Sequence, residues 1–150
     1  MKRFKFRLQK VLDYREAQKR EQAHELARRN GQLSELEQRL EAILEAQDHC
    51  EDAVGQVVSM SELSLGLDYR SRLQHELERQ HELIQEAVQA VEAARDAYIE
   101  RVKETESLEV VKRRRKEEFH TEKKRRERKE LNDLVVSRHR FSKPGSDDNR

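Results

Sequence analysis

The residues best suited to chemistry are two basic runs in the second half of the chain, at 112–116 and 123–126. Such a row of cations binds anions, which are the phosphates of a nucleic acid or the carboxylates of an acidic protein. Residues 112–130 hold eleven Lys/Arg and five acids, without a base-reading motif built on stacking aromatic residues. We therefore favour an acidic protein partner, with nucleic-acid binding as the alternative. A solvated helix carrying Glu–Lys pairs four residues apart is a third interpretation.

Catalytic and metal-binding chemistry are poorly represented. Asp48, His49 and Cys50 are consecutive, so a helix would point them about 100° apart. His75 and His81 are six apart, which is not the i,i+4 spacing of a helical metal pair. The four glycines are too scattered to form a phosphate-binding loop. We predict no enzyme activity, no cofactor, no bound metal and no small-molecule ligand.

Charge is strongly polarised along the chain, although the formal net charge is only +1. Residues 1–15 carry six Lys/Arg and one acid, and residues 101–150 carry seventeen Lys/Arg and eleven acids. Between them, residues 16–100 carry nine Lys/Arg and nineteen acids. A chain that folds back once would bring the two basic segments together and leave the acidic segment at the other end. This pattern predicts a connector with two different binding ends.

The composition favours long amphipathic helices over a compact core. Among the 150 residues, 42% are charged and 34% hydrophobic, with four Gly and one Pro. Disorder is the rival interpretation, but the periodicity of the apolar residues favours helix. We see no apolar run of about 20 residues and no cleavable signal, so we expect a cytoplasmic protein.

Heptad spacing predicts a first helical arm over about residues 3–58. The apolar residues alternate in steps of three and four, which is the a/d spacing of a coiled coil. The clearest positions are Leu33, Leu36, Leu40, Ile43, Gln47, Cys50, Val54 and Val57.

The predicted chain reversal covers about residues 59–66, which combine serines with Gly66. Ser59 followed by Glu62 is a capping-box pattern for a second helix, and Ser64 is a competing cap.

A second helical arm is predicted over about residues 67–141. Its seam comprises Leu73, Leu77, Gln80, Ile84, Ala87, Val91, Ala94, Tyr98, Arg101, Thr105 and Leu108. A reversal near residue 61 would place Leu40 opposite Ile84 and leave residues after about 122 without a partner arm. Residues 142–150 are predicted to form a disordered tail. We thus predict an all-α, antiparallel two-helix coiled-coil hairpin forming a single domain over residues 1–141.

Both ends of the sequence resemble one known family. Residues 4–16, FKFRLQKVLDYRE, resemble the opening of the FliJ family of flagellar type III export proteins. The Glu/Lys-rich stretch ending in Leu131-Asn132-Asp133-Leu134 is similar to that family's C-terminal stretch, which commonly ends in Leu-Asp-Glu-Leu/Phe-Ala.

The resemblance implies a stalk-like hairpin similar to the central stalk of rotary ATPases. It implies binding to the hexameric export ATPase FliI and to the export-gate membrane protein FlhA, with possible escort of export chaperones. It also implies a peripheral location at the cytoplasmic face of the inner membrane, at the flagellar base. The alternatives are the stalk of a related virulence type III secretion system and a basic helical nucleic-acid-binding protein.

Two sets of candidate binding residues follow from charge, arm length and this resemblance. The expected ATPase-binding set comprises Phe4, Phe6, Leu8, Leu12, Arg125, Arg126, Arg128, Lys129, Leu131 and Leu134. The expected gate-binding set comprises Tyr69, Leu73 and Leu77, which could instead serve only to close the hairpin.

Overall fold

Two long helices make up almost all of the described chain. The computed structural model of the protein describes residues 3–56 and 59–141. Helix α1 spans Gln9–Val54 and helix α2 spans Met60–Phe141, and they pack against each other. Within the described ranges there is no β-strand. The prediction of an all-α helical hairpin is confirmed.

The second helix begins earlier than predicted. α2 starts at Met60, so the predicted turn over 59–66 was wrong for residues 60–66. Ser59 caps this helix: its Oγ accepts a hydrogen bond from the Glu62 amide at 3.3 Å. An oxygen in this position satisfies an amide that lacks a partner within the helix, and an acid in the first turn adds to that effect. Ser59 therefore determines where α2 begins, and Ser64 and Gly66 lie inside the helix.

The N-terminal boundary also differs from the prediction. The first arm was expected from Arg3, but α1 begins at Gln9 and residues 3–6 precede it without helical structure. The Gln9 amide donates to the Phe6 carbonyl oxygen at 3.1 Å, which closes a turn before the helix. The predicted disordered tail at 142–150 lies outside the described residues.

Contacts divide the chain into two compact units. The middle unit is Tyr14–Thr105, and the terminal unit combines Met1–Asp13 with Glu106–Arg150. Each unit therefore contains part of α1 and part of α2.

The core of the middle unit is a narrow seam. Its buried apolar residues are Ile43, Cys50, Leu73 and Ala94, all at predicted seam positions. The predicted seam residues Leu40 and Ile84 are only half-buried. Two buried polar residues, Gln80 and Thr105, share the seam with them. So few buried side chains leave little stabilising area, because hydrophobic stabilisation scales with the apolar area removed from water.

Polar contacts across the seam fix which residues face each other. Gln80 Nε2 donates to the Leu36 carbonyl oxygen at 2.8 Å, and Cys50 Sγ lies 3.7 Å from the Gly66 carbonyl oxygen. Arg15 and Glu104 form an ion pair at 2.7 Å between the helices. The sequence predicted that Leu40 lies opposite Ile84. The Gln80–Leu36 and Cys50–Gly66 contacts instead align each α1 residue with an α2 residue about one heptad earlier than predicted. A shift of one heptad returns to the same helix face, so the seam positions were right although their partners were not.

Replacing a core side chain by a charge tests this seam. Ile43→Asp should bury an unpaired carboxylate at a position only 8% exposed and destabilise the protein by about 3 kcal/mol or more. The exposed neighbour provides the control, since Glu41→Ala should change the free energy of unfolding by less than about 0.5 kcal/mol. Thermal unfolding followed by circular dichroism at 222 nm measures both. Equal losses in the two variants would contradict the assigned seam.

Candidate binding surfaces

The N-terminal segment packs on α2 within the terminal unit. The rings of Phe4 and Phe119 lie 5.7 Å apart at an interplanar angle of 53°. This tilted geometry is favourable for an aromatic pair. It holds the non-helical residues before α1 against the second helix, as expected if the chain folds back and brings its two basic segments together.

An open groove, here called the terminal groove, lies between these two segments. Its apolar residues are Phe4, Phe6, Leu8, Val111 and Phe119. Its charged residues are Arg3, Lys5, Arg7, Arg115, Glu118 and Glu122. An apolar floor with a mostly cationic rim is suited to an anionic ligand that also carries apolar groups.

Leu12 does not take part in this surface. It is only 2% exposed, so it cannot meet a partner without rearrangement. The sequence grouped it with the ATPase-binding candidates on the basis of charge, arm length and the family resemblance. Its burial indicates that it supports the surface from beneath.

The acids of the basic helix compensate only some of its cations. Glu118 accepts from Arg114 and Arg115 at 3.2 and 3.3 Å, and Glu122 pairs with Arg126 at 3.2 Å. These pairs follow the solvated-helix interpretation of the basic runs, and exposed pairs of this kind contribute little to stability. In the described part of the chain, other cations form no ion pair: Arg113, Lys116, Lys124, Arg125, Arg128 and Lys129. A surplus of positive charge therefore remains available to a partner.

The last part of α2 presents an unpaired apolar face. Every residue from 124 to 140 is exposed, including Leu131 and Leu134 at 61% each. Val135 is also exposed and lies on the same helix face, so we call Leu131, Leu134 and Val135 the C-terminal stripe. Sequence reasoning named the two leucines and missed Val135, although its i,i+4 spacing from Leu131 was a signal for it.

The predicted gate-binding residues are not equivalent. Tyr69 is 47% exposed and lines a groove with Cys50 and Gly66. Leu73 is 5% exposed and belongs to the seam, whereas Leu77 is half-buried. Of the three, Tyr69 is thus the best placed to touch a partner.

Further exposed apolar residues surround the chain reversal and were missed from the sequence. Met60, Leu65 and Leu67 are each at least half exposed. With Tyr69 they lie on more than one side of the first turns of α2, and we call these four residues the turn surface. Sequence reasoning placed Met60 and Leu65 in a turn and therefore gave them no helix face. Exposed acids lie nearby at Asp48, Asp52 and Asp68, while Glu51 pairs with Arg70 at 3.2 Å.

Ion pairs on the surface of the middle unit shift the pKa of two groups. Hydrogen bonds from Arg28 and then Arg29 lower the pKa of the Glu25 carboxyl group. A hydrogen bond to Glu100 raises the pKa of the Lys103 ammonium group. Both effects come from neighbours on the same helix, and neither group lies in the surfaces described above. In residues 3–56 and 59–141, no cluster of three or more His, Cys, Asp or Glu side chains could hold a metal ion.

A membrane-spanning helix is also absent from the described residues, since neither α1 nor α2 has a sufficiently apolar stretch.

Comparison with known proteins identifies the family. The family model described as "Flagellar FliJ protein" matches residues 4–144, which is most of the chain. No curated protein and no solved structure matches the chain significantly. The match includes the N-terminal segment, both helices and the C-terminal stripe. The chain therefore belongs to the FliJ family of flagellar proteins.

Proposed function

We propose that this protein is a non-catalytic adaptor of flagellar protein export, which links the export ATPase ring to the export gate. Membership of the FliJ family supports a role in flagellar export. The adaptor role rests on one observation: the chain carries two exposed apolar surfaces surrounded by charges of opposite sign. Opposite charge around two binding surfaces selects two different partners, because a like-charged partner is repelled.

The terminal unit is the proposed ATPase-binding part. Its C-terminal stripe supplies apolar anchors, and Arg125, Arg128 and Lys129 are exposed cations without an ion pair in the described chain. Arg126 belongs to the same set, although it forms an ion pair with Glu122. Cations of this kind speed encounter with an acidic surface, and buried leucines then slow dissociation. The groove residues Phe4, Phe6 and Leu8 add a second contact area within the same unit.

The turn surface is the proposed gate-binding part. Tyr69 lies among exposed apolar side chains and acids, and an aromatic residue in such a setting is a typical binding anchor. Leu77 borders this region, while Leu73 holds the seam beneath it. The expected partner is the cytoplasmic part of an FlhA-like gate protein. The escort of export chaperones and a location at the cytoplasmic face of the inner membrane belong to the same proposal.

The related virulence-type stalk remains a second candidate, because its partners would be an equivalent ATPase and gate. Nucleic-acid binding is less favoured, since the exposed stripe of two leucines and a valine has no use on a phosphate backbone.

The C-terminal stripe should control stimulation of the ATPase. Leu131→Ser combined with Leu134→Ser removes two apolar anchors, so half-maximal stimulation of the purified export ATPase should need about tenfold more protein. Ending the chain after Thr121 should abolish stimulation while the middle unit keeps its melting transition. ATP hydrolysis at 0.15 M salt measures the first effect, and circular dichroism measures the second.

Leu65→Ser combined with Leu67→Ser is the matched control, because these leucines are comparably exposed but belong to the middle unit. This control should stimulate the ATPase as well as the unaltered protein does. Stimulation that survives truncation after Thr121 would exclude the C-terminal part of α2 as the ATPase-binding site.

The turn surface should control binding to the gate. Tyr69→Ala should weaken binding to the purified cytoplasmic part of the gate protein by about tenfold, while thermal stability stays nearly unchanged. Leu73→Ala should instead destabilise the protein by about 2–4 kcal/mol, since it leaves a cavity in the seam. Isothermal titration calorimetry measures gate binding, and thermal unfolding measures stability.

Tyr14→Ala provides the control for Tyr69→Ala, because Tyr14 is another exposed tyrosine of the middle unit. It should bind the gate normally. Equal binding by the Tyr14→Ala and Tyr69→Ala variants would remove Tyr69 from the proposed interface, and normal ATPase stimulation by both would show that the other surface is intact.

A further inference from the structure

The terminal groove has a length that matches a short helical ligand. Its α2 wall is formed by Val111, Arg115, Phe119 and Glu122, whose spacing follows one face of the helix for three turns. At about 1.5 Å per residue, this wall is about 16 Å long. A docked amphipathic helix typically places three or four apolar anchors over such a distance, at i, i+3 or i+4, and i+7.

The floor of the groove is apolar and only partly covered. Phe4 and Phe6 are half-buried, Phe119 is half-buried beneath Phe4, and Leu8 and Val111 remain 40% and 41% exposed. The aromatic pair anchors the floor, while the two aliphatic residues extend it. Covering these side chains with a ligand would remove more apolar area from water.

The rim of the groove carries uncompensated positive charge. Arg3, Lys5 and Arg7 are exposed, and in the described chain none of them forms an ion pair. On the opposite wall, both acids are already paired: Glu118 with Arg114 and Arg115, and Glu122 with Arg126. A ligand that approaches the floor of the groove therefore meets three exposed cations that form no ion pair in the described chain.

From this combination we propose that the terminal groove binds an acidic amphipathic helix. The helix would place its aliphatic stripe on Val111, Leu8 and the Phe4–Phe119 pair, and its carboxylates beside Arg3, Lys5 and Arg7. This deepens the proposed function and rests on it in one respect: the export ATPase is the protein expected to supply the helix. The groove contains none of the C-terminal stripe residues, so the two contacts can be altered independently.

The arrangement of the rings argues against nucleic acid as the ligand. Proteins that bind single strands stack bases on open aromatic faces. Here Phe4 and Phe119 pack on each other at 5.7 Å, and Phe6 completes the floor together with the aliphatic side chains of Leu8 and Val111. Aliphatic side chains offer no stacking face, whereas they suit the leucines of an amphipathic helix.

Binding of synthetic peptides to the full chain tests this proposal. The probe is a fluorescein-labelled peptide of about 18 residues with leucines at i, i+3, i+4 and i+7 spacing and glutamates on the other face. Fluorescence anisotropy at 0.15 M salt should show binding at least about tenfold tighter than for a peptide with the same residues in scrambled order. A peptide with lysine in place of glutamate should not bind. Equal affinity for the ordered and scrambled peptides would overturn the proposal, and so would tighter binding of a single-stranded oligonucleotide of the same length.

Variants locate the site on the protein. Arg3→Glu combined with Arg7→Glu should weaken peptide binding about tenfold, as should Val111→Asp, which puts a charge on the floor. Arg20→Glu combined with Arg95→Glu makes the same change in net charge at exposed residues of the middle unit and should leave peptide affinity unchanged. All altered residues are exposed, so the helical signal at 222 nm should be preserved. If the groove variants and the control variant lose the same peptide affinity, the effect comes from net charge alone, and the groove is excluded as the binding site.

The same variants separate this inference from the proposed function. If the peptide binds as described but the groove variants stimulate the ATPase normally, the acidic helix site stands and its assignment to the ATPase fails. If the groove variants lose stimulation while no acidic peptide binds, the ATPase assignment stands and the helical ligand is wrong.

Discussion

The structure depends on a seam between two helices that is too thin to specify its own alignment by apolar contact alone. Ile43, Cys50, Leu73 and Ala94 are its buried apolar side chains in the middle unit. A repeating apolar stripe can slide by one heptad and still match, because the same face returns every seven residues. Polar contacts limit that freedom, and the ion pair between Arg15 and Glu104 is specific because a shift of one heptad would bring no acid opposite Arg15. Gln80, which is 7% exposed, adds a hydrogen bond to the Leu36 carbonyl oxygen across the same seam.

This distribution of buried and exposed residues suits the proposed adaptor role. Charged residues are too abundant to be buried, so they lie on the surface, while a small number of seam residues maintain the fold. The exposed apolar residues outside the seam include those of the turn surface and of the C-terminal stripe. Large exposed apolar groups commonly mark interaction sites, and their charged surroundings differ between the two places.

Periodicity and terminal motifs predicted the helices, the seam face and the family, because these features are local in the sequence. The register of the pairing was not predictable in the same way. It depends on where the chain reverses, and the single cap at Ser59 moved the start of α2 to Met60. Gly66 resembled a turn residue but lies inside α2, facing Cys50. The hairpin prediction brought the two basic segments together, but the specific pairing of Phe4 with Phe119 joins residues more than a hundred positions apart, and no local pattern specifies it.

Disulfide trapping with the chain's single cysteine tests the pairing most directly. Cys50 Sγ lies 3.7 Å from the Gly66 carbonyl oxygen, so a Gly66→Cys variant should form an intramolecular disulfide on mild oxidation. Leu73→Cys should not, although the alignment expected from the sequence would place residue 73 opposite Cys50. Mass spectrometry of the non-reduced protein identifies the bond. Rapid bonding in Gly66→Cys and none in Leu73→Cys is the predicted result. The reverse outcome would show that the helices pair one heptad away from the alignment described here.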